Sequence, residues 1–185
     1  MFKTKNEFID FIQSIVIALA ISVFLFVFIV TPNEVEGSSM EPTLHTGERL
    51  YTNKLPHWFS DTQFGRFLGL DYERGQIVVL QVPGMDALIK RIIALPGESL
   101  LLKEGHFYIN GNELNENYLS SNVYTSEGTF LKEDEEVTVP LDSFFVAGDN
   151  RAVSNDSRYI GFIKREWVVG RPVVRIWPLS KFGGV

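Results

Sequence analysis

Between Asp10 and Glu34 the chain carries no charged residue, and from Phe11 to Val30 it reads FIQSIVIALAISVFLFVFIV. No other stretch restricts the fold so severely. Those 20 residues, as a helix rising about 1.5 Å per residue, reach about 30 Å, the hydrocarbon thickness of a bilayer. A core helix of that length would need a polar stripe, and this one has none. The run predicts a transmembrane anchor at 11–30, between an amino-terminal segment at 1–10 and a domain at 31–185. A cleaved secretory signal is the competing reading, because Lys3 and Lys5 precede the run. The run is long for that role, and Thr31-Pro32-Asn33-Glu34 offers no small-x-small cleavage site. Lys3 and Lys5 flank one end, while Glu34, Glu36 and Glu41 follow the other, with Arg49 the first basic residue beyond. The positive-inside bias then places 1–10 in the cytoplasm and 31–185 outside, in a single-pass protein of the cell membrane.

Composition removes several chemistries. A net charge of −6, with no basic cluster beyond the amino terminus, argues against a nucleic-acid partner. Without cysteine there is neither thiolate catalysis nor a disulfide frame. The three histidines, His45, His57 and His106, fall in no His-Glu-x-x-His pattern. No metal and no cofactor is expected.

After Val30 the sequence reads as mainly β. Thr31–Glu36 is expected to be a connector, followed by a strand at Glu48–Lys54. Leu55–Leu70 mixes Trp58, Phe59, Phe64 and Phe67 with Pro, Gly and polar residues. It is expected to form turns, with the aromatics either in a satellite core or in the lipid interface. Gln76–Val82 and Ala87–Leu95 are apolar, β-branched and bounded by Pro-Gly, as buried strands are. Asn110-Gly111 marks a hairpin. Glu116–Glu136 is polar and acidic, a loop-rich lobe expected to carry little chemistry. Val137–Val139, Phe144–Ala147 and Trp167–Trp177 supply further strands.

Three stretches can carry chemistry. In Gly37-Ser38-Ser39-Met40-Glu41-Pro42-Thr43-Leu44 a hydroxyl stands on an irregular backbone that Pro42 keeps from becoming regular, although Gly-Ser-Ser before Pro is also ordinary turn chemistry. Ser39 lies nine residues beyond Val30, so it stays within roughly 30 Å of the membrane surface even on an extended chain. A serine needs a base. His45 sits in a turn with no obvious acid to orient it. Lys90, within Leu88-Ile89-Lys90-Arg91-Ile92-Ile93, is the more informative base. Alternation puts Lys90 on a face with Leu88 and Ile92, and Arg91 on the other with Ile89 and Ile93. Burial among aliphatics drives a lysine toward its neutral form; a strand-edge pair with snorkelling stems remains the bland alternative. The third stretch, Gly148 to Arg158, packs two Asp, two Asn, two Ser and two Arg into eleven residues. It can be a turn braced by side chains, a supporting wall for the serine and lysine, or, less well, a calcium loop, whose EF-hand spacing it lacks.

Taken together, Ser39–Leu44, Lys90-Arg91 followed by Pro96-Gly97, and Gly148-Asp149-Asn150-Arg151 with Ser154, Asp156, Ser157 and Arg158 resemble the bacterial type I signal peptidase family in order and spacing. The resemblance spans nearly the whole chain apart from the lobe around 116–136. It implies a serine endopeptidase with Ser39 as nucleophile and neutral Lys90 as general base. Ser154 would orient the lysine amine, while Asp149, Asp156, Arg91 and Arg158 support the wall. The implied fold is an antiparallel β-sheet catalytic domain with a small inserted lobe, at 98–143. Some relatives carry a hydroxyl residue where this chain has Gly37, so the oxyanion would rest on the Ser39 backbone with Ser38. Substrate would add as a strand, with Val35, Gly37, Met40, Leu88 and Ile89 forming small pockets. The implied partners are secretory preproteins with small residues at the cut, the lipid bilayer and the protein translocation machinery. A peptidase dedicated to one partner protein, and a non-catalytic module binding signal sequences, are the alternative readings.

Overall fold

In the computed structural model, residues 5–60, 62–120 and 123–185 are described. Lys3 lies outside them. The apolar run forms helix α1 (Lys5–Ile29), of which Glu7–Ile29 is long and apolar enough to cross a membrane. Its side chains are exposed nearly all round, so no protein core accounts for their hydrophobicity.

Strands then follow in the order β1 (Val30–Glu34), β2 (Arg49–Asn53), β3 (Ile77–Leu80), β4 (Leu88–Ala94), β5 (Ser99–Lys103), β6 (His106–Ile109), β7 (Asn112–Glu113), β8 (Glu136–Thr138), β9 (Ser143–Ala147), β10 (Ile163–Lys164), β11 (Val168–Trp177) and β12 (Gly183–Gly184). The larger sheet runs β1-β2-β11-β3-β4-β9-β10, with β12 on β11, and the smaller runs β7-β6-β5-β8. Every named pairing is antiparallel. The fold is therefore mainly antiparallel β behind one apolar helix, as expected. Asn110 and Gly111 both take positive φ between β6 and β7, the backbone that a two-residue hairpin turn requires.

Three local expectations are corrected. The connector at 31–36 is largely strand: β1 pairs with β2 from Val30↔Asn53 to Glu34↔Arg49. Pro32 concealed it, yet β1 is an edge strand, where one side has no partner and a missing N–H is tolerated. The aromatic stretch after Lys54 forms not turns but two short helices, α2 (Leu55–Phe59) and α3 (Gln63–Phe67). Pro56 opens the first, and the Thr62 hydroxyl caps the second by accepting from Gly65 N–H at 2.8 Å. The lobe at 116–136 is loop-rich, but it reaches into the charged wall described below.

Three small cores hold the sheets together. Val35, Met40, Leu44, Leu50 and Ile77 form one, with Ile89 against it. Val78, Leu80, Ile92, Phe144 and Val146 are central to the second. Ile93, Leu100, Leu102, Phe107 and Phe145 are central to the third, which joins the two sheets. β4 thus feeds all three cores through Ile89, Ile92 and Ile93, and Lys90 and Arg91 are carried into the interior with it.

Candidate active site

Ser39 stands on the loop between β1 and β2. Val35, Met40 and Leu44 are buried beneath that loop, and they fix its shape. Val35 N–H donates to the Glu48 carbonyl at 2.8 Å and Gly47 N–H to the Val35 carbonyl at 2.9 Å, which closes the loop at its base. Asn150 N–H donates to the Ser39 carbonyl at 3.0 Å and ties the loop to the turn after β9. Gly148 makes that approach feasible. A Cβ there would lie 2.4 Å from the Ser39 carbonyl oxygen and 2.3 Å from Ser154 Oγ, so a larger residue would push the loop away.

Lys90 Nζ lies 2.7 Å from Ser39 Oγ and donates to the Ile89 carbonyl at 3.0 Å. The residue is only 3% exposed. Burial drives its pKa down to about 8, against the opposing pull of the Asp156 and Asp149 charges. Those two carboxylates are matched by arginines, which limits that pull. Arg91 grips Asp149 through two bonds, Nε to Oδ1 at 2.8 Å and Nη2 to Oδ2 at 2.6 Å. Thr43 Oγ1 donates to the same carboxylate at 2.5 Å. Arg158 grips Asp156 likewise, Nε to Oδ1 and Nη2 to Oδ2, each at 2.9 Å. Asp156 also caps α4 (Ser157–Ile160) and accepts from Gly148 N–H at 3.0 Å.

Ser39 and Lys90 are brought together, and the pairs Arg91–Asp149 and Arg158–Asp156 line up behind them. Ser154 is adjacent but makes no hydrogen bond to Lys90; its Oγ is buried without a partner among the described residues, pressed against Gly148. Ser157 donates nothing to the lysine; its Oγ accepts from Val146 N–H at 3.0 Å. Val35, Met40, Leu88 and Ile89 line a groove of about 380 Å³ together with Ser39 and Lys90. Gly37 does not line it; it takes φ +78° at the turn before the serines. The Ser39 N–H donates to no group among the described residues, whereas the Ser38 carbonyl accepts from Glu41 N–H at 3.1 Å. His45 has Glu41 at 3.5 Å, an acid that the sequence left unseen, although both side chains are well exposed.

Sequence reasoning missed Thr43, Glu116, Tyr118, Thr125 and Arg175. The Arg91 guanidinium sits 3.9 Å over the Tyr118 ring. Arg151 pairs with Glu116 and donates to Thr125 Oγ1 at 2.6 Å. Arg175 joins buried Glu48 at 3.1 Å to the Thr43 carbonyl, also at 3.1 Å. The lobe dismissed as having little chemistry therefore braces the arginines of the site. Only Thr43, inside the serine stretch, gave a local signal; the others meet the site across long loops.

The sequence model of a family described as signal peptidase, peptidase S26, matches residues 8–177. Signal peptidase IB of Staphylococcus aureus is 34% identical over 189 residues, covering 96% of this chain and 94% of the relative. The crystal structure of a signal peptidase I from Enterococcus faecalis is 33% identical, with 55% of this chain and 96% of that one covered at a TM-score of 0.46. With a family match across most of its length and a relative that close, this chain belongs to the peptidase S26 family of signal peptidases.

Proposed function

We propose that the chain removes signal peptides by a Ser/Lys dyad, with Ser39 as nucleophile and neutral Lys90 as its base. The separation of 2.7 Å between Lys90 Nζ and Ser39 Oγ carries this reading. A neutral amine at that distance accepts the hydroxyl proton as Ser39 attacks the scissile carbonyl, then passes it to the leaving amine. The Ser39 N–H, which donates to no group among the described residues, would hold the tetrahedral oxyanion with Ser38 beside it. Water then releases the acyl-enzyme, with Lys90 again as base. Ser154, Asp149, Asp156, Arg91 and Arg158 act through Lys90 and the loop around Ser39 rather than on substrate. The substrates are secretory preproteins, entering as a strand along the groove with small side chains against Val35, Met40, Leu88 and Ile89. A peptidase serving one partner protein would process that protein alone.

The pH profile tests the base. With a pKa of about 8, roughly one lysine in ten is neutral at pH 7, against about one in a few thousand at the ordinary value. The neutral form is the active one, so kcat/KM rises with pH and levels above the folded-state pKa. Between pH 6 and 8 the expected gain is about fifty-fold. A profile flat across that interval would remove Lys90 from the role.

The helix Glu7–Ile29 would anchor the protein in the cell membrane, its amino-terminal end cytoplasmic and residues 31–185 outside, beside the translocation machinery that delivers substrate. α2 starts where the anchor ends: Lys54 N–H donates to the Ile29 carbonyl and Lys54 Nζ to the Val27 carbonyl, at 2.8 and 2.9 Å. Trp58 is 61% exposed and Phe67 86%, with Phe64 also open. A satellite core would have buried them; at this level they meet the bilayer interface, which favours such rings. In vesicles of brominated lipid, fluorescence of Trp58 alone (Trp167 and Trp177 replaced by Phe) is expected to be quenched. Emission unchanged from ordinary vesicles would place α2 in water.

A further inference from the structure

The groove beside the dyad is apolar at its floor and acidic at its mouth. Val35 and Met40 are buried there, while Glu34, Glu36 and Asp86 are exposed. These three carboxylates share the lining with one cation, Lys90. Glu34 is occupied by Arg49 at 3.1 Å. Glu36 and Asp86 have no ion-pair or hydrogen-bond partner among the described residues, and they come from the two walls of the groove, the segment after β1 and the segment before β4. The groove therefore offers substrate an excess of negative charge close to the point of cleavage.

An extended peptide sends successive side chains to opposite sides. With the two small residues of a small-x-small motif on the apolar floor, the residue between them points toward the mouth. Resting on the function proposed above, we infer that Glu36 and Asp86 are specificity-determining residues that favour Lys or Arg at this middle position and disfavour Asp or Glu. A cationic side chain there gains from two uncompensated carboxylates, while an acidic one is repelled by both, and such repulsion is an effective means of excluding the wrong partner. Both carboxylates are exposed, so the discrimination acts largely on substrate capture and weakens as salt screens it.

The test uses the full chain in uncharged detergent, where no lipid charge competes. Three peptides, identical except for Ala-Lys-Ala, Ala-Gln-Ala or Ala-Glu-Ala at the cut, are compared by kcat/KM for the wild type and for Glu36→Gln/Asp86→Asn. In the wild type at low salt the lysine peptide is expected to exceed the glutamate peptide about tenfold. That ratio should fall to about twofold in 0.5 M salt and approach one in the double variant. Because the readout is a ratio within each protein, an overall loss of activity in the variant leaves it intact. Equal rates in the wild type, or a ratio that persists in the variant, would overturn the inference while leaving the peptidase assignment standing. Failure of the wild type to cut any of the three would overturn the dyad reading, and this inference with it.

Discussion

Ser39→Ala and Lys90→Ala are each expected to lose cleavage of an Ala-x-Ala preprotein by a factor of about 10³–10⁴ or more, with the protein still folded. The loss is large because neither group works without the other. An unassisted serine hydroxyl is a poor nucleophile, and a lysine with no hydroxyl at 2.7 Å has no proton to take. The double variant should therefore be little worse than either single one, the non-additivity expected of groups that act as a unit. Lys90→Arg should be as inactive as Lys90→Ala, since a guanidinium stays protonated whatever surrounds it. Initial rates on a reconstituted preprotein, with far-ultraviolet circular dichroism to verify the fold, decide the matter. If Lys90→Ala cleaved within about tenfold of wild type, the base would have to be sought elsewhere, and His45, on the same loop as Ser39, would be examined next.

The parts of this site that were legible in the sequence share one property: each is a local pattern in a segment with a strong preference of its own. A lysine and an arginine inside Leu88–Ile93 conflict with burial wherever that strand lies, so the chain must resolve the conflict chemically. It does so by burying Lys90 with a lowered pKa and pairing Arg91 with Asp149. The polar density from Gly148 to Arg158 was similarly visible, because so many short polar side chains after a buried strand must brace either a turn or a site. The mainly β character followed from β-branched runs bounded by Pro-Gly and Asn-Gly, whereas its antiparallel arrangement was implied only by the resemblance to signal peptidases.

What stayed hidden depends on contacts between distant segments. Tyr118 and Glu116 are ordinary residues in an acidic loop until the fold sets one ring over Arg91 and one carboxylate on Arg151. β1 was concealed for a different reason. Its sequence, VTPNE, follows Val30 and Thr31 with three residues that strands disfavour, and pairing with β2 at the edge of the sheet overrides that. Ser154 shows the reverse case: its position in the motif suggested a bond to Lys90, whereas its hydroxyl is buried without a partner among the described residues.

The pair behind the dyad should matter as much to stability as the dyad does to rate. Arg158 and Asp156 are both fully buried, and the guanidinium makes two bonds to that carboxylate. Asp156→Ala leaves a buried charge without its partner, a change that typically costs about 3–5 kcal/mol. It also removes the acceptor for Gly148 N–H and the cap of α4. For a chain of 185 residues the melting temperature is expected to fall by on the order of 10 °C. Replacing both residues, as Asp156→Ala/Arg158→Leu, removes the orphaned charge and should recover part of the loss. Recovery stays incomplete, because Arg158 also donates to the carbonyls of Ser126, Arg151 and Ser154, which would then lose a donor. Thermal unfolding of the three proteins in one detergent makes the comparison. A melting temperature for Asp156→Ala within about 2 °C of wild type would show that water reaches Arg158, and that the wall behind Lys90 is far more open than its geometry implies.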